Sequence, residues 1–392
     1  MRVLHVVASA RRRGAEVFAA DLVGALNGAG VEQAVVILDP EGAAVSFEAP
    51  VHLLEPSGKR LPALRADTGI LRGLRSVISE WRPDLIQGHG GDTLKYGLLA
   101  ARRHPVVHRA IGMAPPWIAR GPRRVAYSLL MRRAARVVPL ADAVGREVID
   151  VFGVAPNRVV TIMNAVDVGR MNGGGNRGAT RRKLGLPDRV PVILSLAALT
   201  WEKDPLAHLD VTSRVLRNEG GAIHLFVGDG PMRREVEAEI AGRGMGEHVR
   251  LLGARDDIPD LLAASDLVLF ASRPDGMEGL PTILIEAGMA NRPVVGYALA
   301  GVREVVLDGV TGRLAEPGRP EALAELALAL LRDGGERRRL GEAARRRCLD
   351  AFEIGVVAPQ YIEVYKSVLD ERRPEHASMR PIAAGIRRRS PR

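Results

Sequence analysis

Glu278 and Glu286 stand with seven residues between them, around the turn Gly279-Leu280-Pro281-Thr282. Such a pair could be the acid and nucleophile of a hydrolase, or two clamps on a polar ligand lying along a helix start. It could also be a helix with a solvated acid at each end. Pro281 suits a first helical position, where its missing N–H costs nothing. Ile283, Leu284, Ala287 and Ala290 supply an apolar face, so the pattern predicts a short helix over 281–290. Glu278 then lies on the preceding loop and Glu286 within the helix, about 7 Å up from Pro281 at roughly 1.5 Å per residue. Glu286 interrupts the apolar run "TILIEAGMA", which favours ligand contact over a solvated face. The amides of Gly279, Leu280 and Thr282 lie between the acids, so the stretch can span an elongated polar ligand. A retaining hydrolase needs its carboxyls about 5–5.5 Å apart across one bond and has no use for the phosphate-binding features described below.

The elements that must position these residues alternate. Apolar runs at 3–8, 34–38, 85–87, 106–108 and 137–139 read as strands, with helical patterns at 16–27, 71–81 and 125–136 among them. A second set of strands at 192–196, 223–227, 249–252, 267–270, 293–296 and 313–315 alternates with helices near 205–218, 232–242, 258–264 and 281–290. The fold class is therefore α/β, with two doubly wound, Rossmann-like domains. Ligands of open α/β sheets bind beyond the carboxyl ends of the strands, so two facing domains put the site in a deep cleft between them. The Gly-rich "MNGGGNRGAT" marks the break. The expected division is a domain over 1–170, a linker over 171–185, a domain over 186–352, a helix over 353–371, and a basic, disordered tail over 372–392.

The first strand leads to "ASARRRGAEVF", which has no dinucleotide fingerprint, and no P-loop occurs anywhere. Gly14 precedes a helix start, where backbone N–H groups can approach an anion; a plain turn glycine reads the same way. The single Cys348 excludes a disulfide framework and argues against a structural zinc. It fits a reducing, cytoplasmic setting. No run of about 18 apolar residues offers a membrane span. The net charge of +10 is uneven: residues 93–141 hold nine arginines, one lysine and no acid. This suits phosphates or an anionic membrane surface, with peripheral contact at an inner membrane face as one outcome. Nucleic acid is disfavoured, because aromatics are only 4% and do not interleave with the basic segments.

Residues 277–318 carry Glu278-Gly279, Glu286-Ala287-Gly288-Met289-Ala290, Pro293-Val294-Val295, Gly301-Val302-Arg303-Glu304 and Thr311-Gly312-Arg313-Leu314. This region resembles the E-x7-E signature of the retaining GT-B glycosyltransferases of family 4. "WRPDLIQGHGGDTLKYG", "NAVDVGRM", "WEKDP" and "VGDGP" are similar to further segments of that family, in the same order. The resemblance implies a GT-B fold and transfer of a hexosyl unit from a nucleotide sugar to a glycan, glycolipid or small-molecule acceptor. It implies that Glu286 holds the donor ribose, that Glu278 lies against the hexose, and that Lys203 binds the diphosphate. Gly14 would approach that diphosphate from across the cleft, and Gly279, Leu280, Pro281 and Thr282 would line the donor site. Arg109 and Gly112 are expected cleft residues; His89 and Lys95 are expected on a loop facing the same cleft. Asp229 and Asn164 are expected to fix turns.

No cofactor beyond the UDP- or GDP-sugar substrate is expected, and no metal, since the Asp-x-Asp of the metal-dependent glycosyltransferase class is absent. The leaving phosphate would take the acceptor proton. The family commonly has an arginine where this chain has Ala198 and a histidine where it has Ile111. These departures keep a catalytically impaired sugar-nucleotide-binding protein as an alternative, beside a nucleotide-sugar epimerase of the same fold.

Overall fold

A computed structural model describes residues 1–11, 13–41, 45–61, 66–172, 176–276 and 278–372. Among the described residues, twelve strands form two six-stranded sheets. The first contains β1 (Arg2–Val7), β2 (Glu32–Ile37), β3 (Val51–Leu53), β4 (Leu85–His89), β5 (Val106–Ala110) and β6 (Arg136–Pro139). The second contains β7 (Val192–Leu196), β8 (Ile223–Val227), β9 (Val249–Leu251), β10 (Leu267–Phe270), β11 (Val294–Tyr297) and β12 (Gly312–Ala315). The spatial orders are β3-β2-β1-β4-β5-β6 and β9-β8-β7-β10-β11-β12. Every pairing within them is parallel. Both sheets are thus doubly wound, with the order reversing beside β1 and β7, and such reversals open a crevice at the strand ends. Both strands end at this crevice; Gly14 opens the helix after β1 and Lys203 lies in the loop after β7.

The strands read as near-continuous apolar runs because helices cover both faces of each sheet. The exception is β3, an edge strand whose Val51 and Leu53 are exposed; its alternation was too short to register as a strand. The helices Gly91–Ala100 and Asp142–Asp150 also escape a periodicity reading. The first is buried along nearly its whole length, which erases amphipathic contrast. The pattern at 125–136 is a helix displaced toward its N-terminus, Gly121–Arg133, because Arg136 already belongs to β6.

The stretch read as a linker is only partly one. Asn176 accepts hydrogen bonds from the N–H groups of Gly178 and Ala179 and caps the helix Arg177–Lys183. Arg177 pairs with Asp266 at 2.8 Å, and the fully buried Arg181 donates to the carbonyl oxygen of Ala264. Residues 177–183 therefore belong structurally to the second domain; residues 173–175 lie outside the described residues.

The helix Ile354–Asp370 packs against the first domain. Val357, Tyr361, Val364 and Tyr365 share an apolar cluster with Phe18, Leu22, Leu85 and Val107. Tyr365 donates its hydroxyl hydrogen to Gln87 Oε1 at 3.0 Å. The expected disordered tail, apart from Arg372, lies outside the described residues. A single large apolar cluster runs from Leu4 and Ile86 in one domain to Leu194 and Val268 in the other, through Leu140, Leu280 and Val302. The domains share a core as well as a cleft.

Candidate active site

Lys203 ends a short 3-10 turn, Trp201–Lys203, in the loop leaving β7. The next exit loop supports that one. The Val227 carbonyl accepts from the N–H of Ala197, and the Asp229 carbonyl from that of Leu199. Gly228, at φ +136°, passes so close that a Cβ there would meet the Ala197 oxygen at 2.0 Å. Glycine is the residue this crossing admits. Asp229 fixes the turn, accepting from the N–H of Gly230 at 2.7 Å.

The helix after β10 is Thr282–Met289. Pro281 is its N-cap and Thr282 its first residue, one position later than the proline rule placed them, because Pro281 keeps an extended ψ of 118°. Glu278 lies on the loop and Glu286 inside the helix. Lys203 Nζ is 2.6 and 2.5 Å from the two Glu278 carboxylate oxygens. Among the described residues no protein acceptor takes the N–H groups of Gly279, Leu280 or Thr282. A cation, a carboxylate and a set of N–H groups at a helix start are thus gathered where a charged, hydroxylated ligand can be held.

The first domain closes on this helix start from several directions. A Cβ added to Gly14 would lie 3.1 Å from Thr282 Oγ1, so the start of the helix after β1 meets the start of the helix Thr282–Met289 across the cleft. Gly112 lies close to Gly279, where an added Cβ would be 3.1 Å from the Gly112 Cα and 2.9 Å from the Ile111 carbonyl oxygen. From the side, Gly301 packs so tightly that a Cβ on it would fall 1.5 Å from the Gly279 oxygen. Glu304, three residues on, accepts from the N–H of Asp142 at 3.1 and 3.2 Å, across the domain boundary. Burial pushes its carboxyl above the usual range.

Several expected site residues do other work. Arg109 is 1% exposed. Its Nε donates to the Tyr361 hydroxyl at 3.0 Å, one terminal nitrogen donates to Asn164 Oδ1 at 2.8 Å, and the guanidinium lies 3.5 Å over the Phe18 ring. Two of its three guanidinium nitrogens are thus held by the return helix and by Asn164. Asn164 does more than fix a turn. Its Nδ2 donates to Thr282 Oγ1 at 2.8 Å and to the Leu280 carbonyl at 3.3 Å, so it couples Arg109 to the helix start.

His89 is also turned inward. It is the last residue of β4, buried, with Nε2 3.0 Å from His5 Nδ1. His5 Nε2 lies 2.9 Å from Gln33 Oε1, an acceptor, so that nitrogen carries the proton and His5 Nδ1 accepts from His89. His89 Nδ1 is then left without a proton or a partner. Burial pushes the His89 pKa well below the ordinary value.

Lys95 sits within the helix Gly91–Ala100 and not on a loop. It pairs with Asp92 at 2.8 Å and lines a cavity of about 400 Å³ with Tyr96, Trp117, Arg123 and Tyr127. This cavity opens at the carboxyl ends of the first sheet's strands. Tyr96 lies within the segment "WRPDLIQGHGGDTLKYG", but Trp117 and Tyr127 have no motif to mark them as lining residues.

The place left by Ala198 is not taken by Arg273, which the loop after β10 brings alongside. Its guanidinium is 3.6 Å from Asp204, 3.3 Å from Asp275 and 4.5 Å over the Trp201 ring. Glu286 has a partner that no spacing rule indicates: Arg170, 3.0 Å from Oε1 and itself 3.2 Å from Asp21. Arg170 lies in the "NAVDVGRM" segment, but its meeting with residues 21 and 286 is purely tertiary. Among the described residues no group of three or more His, Cys, Asp or Glu is placed to hold a metal ion.

Comparison with known proteins agrees with this layout. The family described as Glycosyltransferase Family 4 matches residues 12–170, and Glycosyl transferases group 1 matches residues 176–347. The α-D-kanosaminyltransferase of Streptomyces kanamyceticus is 27% identical over 194 residues, 49% of each chain. The N-acetyl-α-D-glucosaminyl L-malate synthase of Bacillus anthracis is 34% identical over 145 residues, 37% of each. These two matches span less than two thirds of the relatives' own length. A D-inositol 3-phosphate glycosyltransferase of Kineococcus radiotolerans is 27% identical over 325 residues, 75% of this chain and 74% of the relative.

Among solved structures, Anabaena HepE in complex with UDP and glucose has a TM-score of 0.80 at 22% identity, covering 93% of this chain and 99% of that one. The sucrose-phosphate synthase of Thermosynechococcus elongatus has a TM-score of 0.79 at 17% identity, covering 94% and 99%. At these identities the likeness is one of fold. With one family matched on each domain and the same architecture throughout, the chain belongs to the GT-B glycosyltransferases of the family 4 type.

Proposed function

We propose that this glycosyltransferase moves a hexosyl unit from a UDP- or GDP-sugar to an acceptor hydroxyl, with retention at the anomeric carbon and without a bound metal. The observation that carries the reading is the pairing of Lys203 with Glu278 beside the unengaged N–H groups of the helix start. Transfer breaks the bond from the anomeric carbon to the phosphate oxygen and forms one to the acceptor oxygen. The acceptor proton passes to the departing diphosphate. Negative charge grows on that diphosphate, so Lys203 and the amides of Gly279, Leu280 and Thr282 act where charge develops. Glu278 faces the hexose, Glu286 the ribose, and Gly14 approaches the diphosphate from the first domain. The N-terminal cavity with Tyr96, Trp117 and Tyr127 receives the acceptor.

The test is incubation with UDP- and GDP-hexoses and a panel of sugar, polyol phosphate and lipid-linked acceptors, in buffer containing EDTA. Release of nucleoside diphosphate together with an α-linked product from an α-linked donor is expected. An inverted product, an epimerised donor without acceptor, or activity abolished by EDTA and restored by a divalent cation would each overturn the corresponding part.

One further surface supports peripheral contact with anionic lipid at the inner membrane face. Trp117, Val125 and Leu129 are 58%, 55% and 59% exposed. Val125 and Leu129 share a face of the helix Gly121–Arg133, flanked by the exposed Arg120, Arg123, Arg124 and Arg133. Apolar groups ringed by arginines suit an interfacial site, and Trp117 and Arg123 also border the acceptor cavity. No described helix is long and apolar enough to cross a membrane. Sedimentation with phosphatidylglycerol vesicles at low salt should recover the protein, and Leu129→Glu should release it. No binding at low salt would end this reading.

A further inference from the structure

Arg170 lies where three parts of the molecule converge. It projects from the helix Val168–Asn172, which ends the first domain. One terminal nitrogen is 3.0 Å from Glu286 Oε1 on the second domain's helix Thr282–Met289; the other is 3.2 Å from Asp21 Oδ2 on the first domain's helix Gly14–Gly28. Asp21 Oδ2 also accepts from the N–H of Asp167 at 3.3 Å, which ties this anchor to the same turn. All three side chains are largely buried. Glu286 Oε2 has no protein partner among the described residues.

We propose that Arg170 is a positioning residue for donor recognition, which clamps Glu286 so that its free oxygen is presented to the nucleotide ribose. The inference rests on Glu286 being the ribose ligand. A glutamate side chain has several rotatable bonds, and fixing it before the ligand arrives removes that ordering cost from binding. The planar guanidinium fork serves two carboxylates on different helices at once, which a lysine point charge does not. Because Asp21 holds the other side of the fork, the first domain's opening helix also sets the geometry of a site on the second domain.

The experiment compares wild-type protein with Arg170→Ala, Arg170→Lys and Asp21→Asn by calorimetry. The probes are UDP and GDP, their 2′-deoxy and 3′-deoxy forms, and inorganic pyrophosphate. Wild type should prefer the ribonucleotide. In Arg170→Ala that preference should collapse toward one, with ribonucleotide affinity falling about tenfold, as expected for losing a charge-assisted contact, while pyrophosphate affinity is unchanged. Arg170→Lys and Asp21→Asn should fall between, and they carry the test if Arg170→Ala does not fold. Equal losses for nucleotide, deoxynucleotide and pyrophosphate in these variants, with a lowered Tm, would show a merely structural arginine and overturn the inference. Unaltered ribose preference in all three would overturn it too. If wild type binds neither nucleotide, or does not distinguish ribose from deoxyribose, the reading of Glu286 itself fails.

Discussion

Lys203 Nζ contacts both carboxylate oxygens of Glu278, at 2.6 and 2.5 Å, although the two residues leave different strands of the second sheet. Each therefore fixes the other, and a diphosphate that approaches Lys203 meets a cation already aimed into the site. Lys203→Ala should lower kcat by about 10²–10³, the scale on which one charge-stabilising donor is lost. Glu278 is mostly buried and would lose its partner, so Tm should fall as well. Steady-state kinetics beside a melting curve checks both; unchanged turnover in a folded variant removes Lys203 from the mechanism.

Arg109→Ala should act mainly on stability. Its guanidinium is buried between Tyr361, Asn164 and Phe18, and removal leaves polar partners unmet in a dry site. A loss of about 1–3 kcal/mol is expected on the scale of buried polar groups left unmet, measured by chemical denaturation. A stable variant with only a raised donor KM would restore Arg109 to the donor site.

Asn164→Ala should cost about 1–3 kcal/mol, because it strips a buried residue's bonds to Thr282, the Leu280 carbonyl and Arg109. It should also weaken donor binding by loosening the helix start, whereas Thr282→Ala loses one of these contacts and should show the milder form. Urea unfolding and nucleotide titration distinguish the two effects; equal stability of Asn164→Ala and wild type would contradict the network.

Gly301→Ala should be among the most damaging small changes, since its Cβ would fall 1.5 Å from the Gly279 carbonyl oxygen. Backbone must move, and that backbone carries the amides proposed to face the donor. Soluble yield and activity should fall together, while Gly309→Ala, in open space though at φ +71°, should lower stability by about 1 kcal/mol or more and spare turnover. Full activity in Gly301→Ala would show that the contact can relax.

Acid should destabilise the fold through its buried histidines. Burial lowers His5 and His108 from 6.5 to about 4, and His89 and His224 shift in the same direction. Between those values the unfolded chain holds protons that the folded one refuses, so stability falls as pH drops from about 6.5 toward 4 and is full above 6.5. Tm should decline from pH 7 to pH 5 with net proton uptake on unfolding. A Tm that stays level across this range would contradict the assignment of neutral, buried rings.

Much was legible in the order of residues. The alternation of apolar runs and helical patterns determined two parallel doubly wound sheets, because strands covered on both faces must be apolar throughout. Local grammar also placed Glu278 on a loop and Glu286 in a helix, since proline and the i, i+3, i+4 spacing act over a few residues. Motif order, from "WEKDP" to the E-x7-E region, located Lys203 and the helix start. What failed was anything that depended on where a side chain turns. Arg109 and His89 look like cleft residues by position, yet they lie in the last two residues of β5 and β4, where side chains point alternately to opposite faces, and both are buried.

Only the tertiary structure decided which distant residues meet. Arg170 joins Asp21 to Glu286, Asn164 joins Arg109 to Thr282, and Glu304 reaches the N–H of Asp142. Each contact spans tens of residues or more and follows from how two domains pack, for which no local periodicity exists. The sequence by itself determined the elements and the chemical groups at their ends, because those follow from short-range sterics and apolar spacing. The packing of one domain on the other decided which of those groups face a ligand and which are already held by the protein.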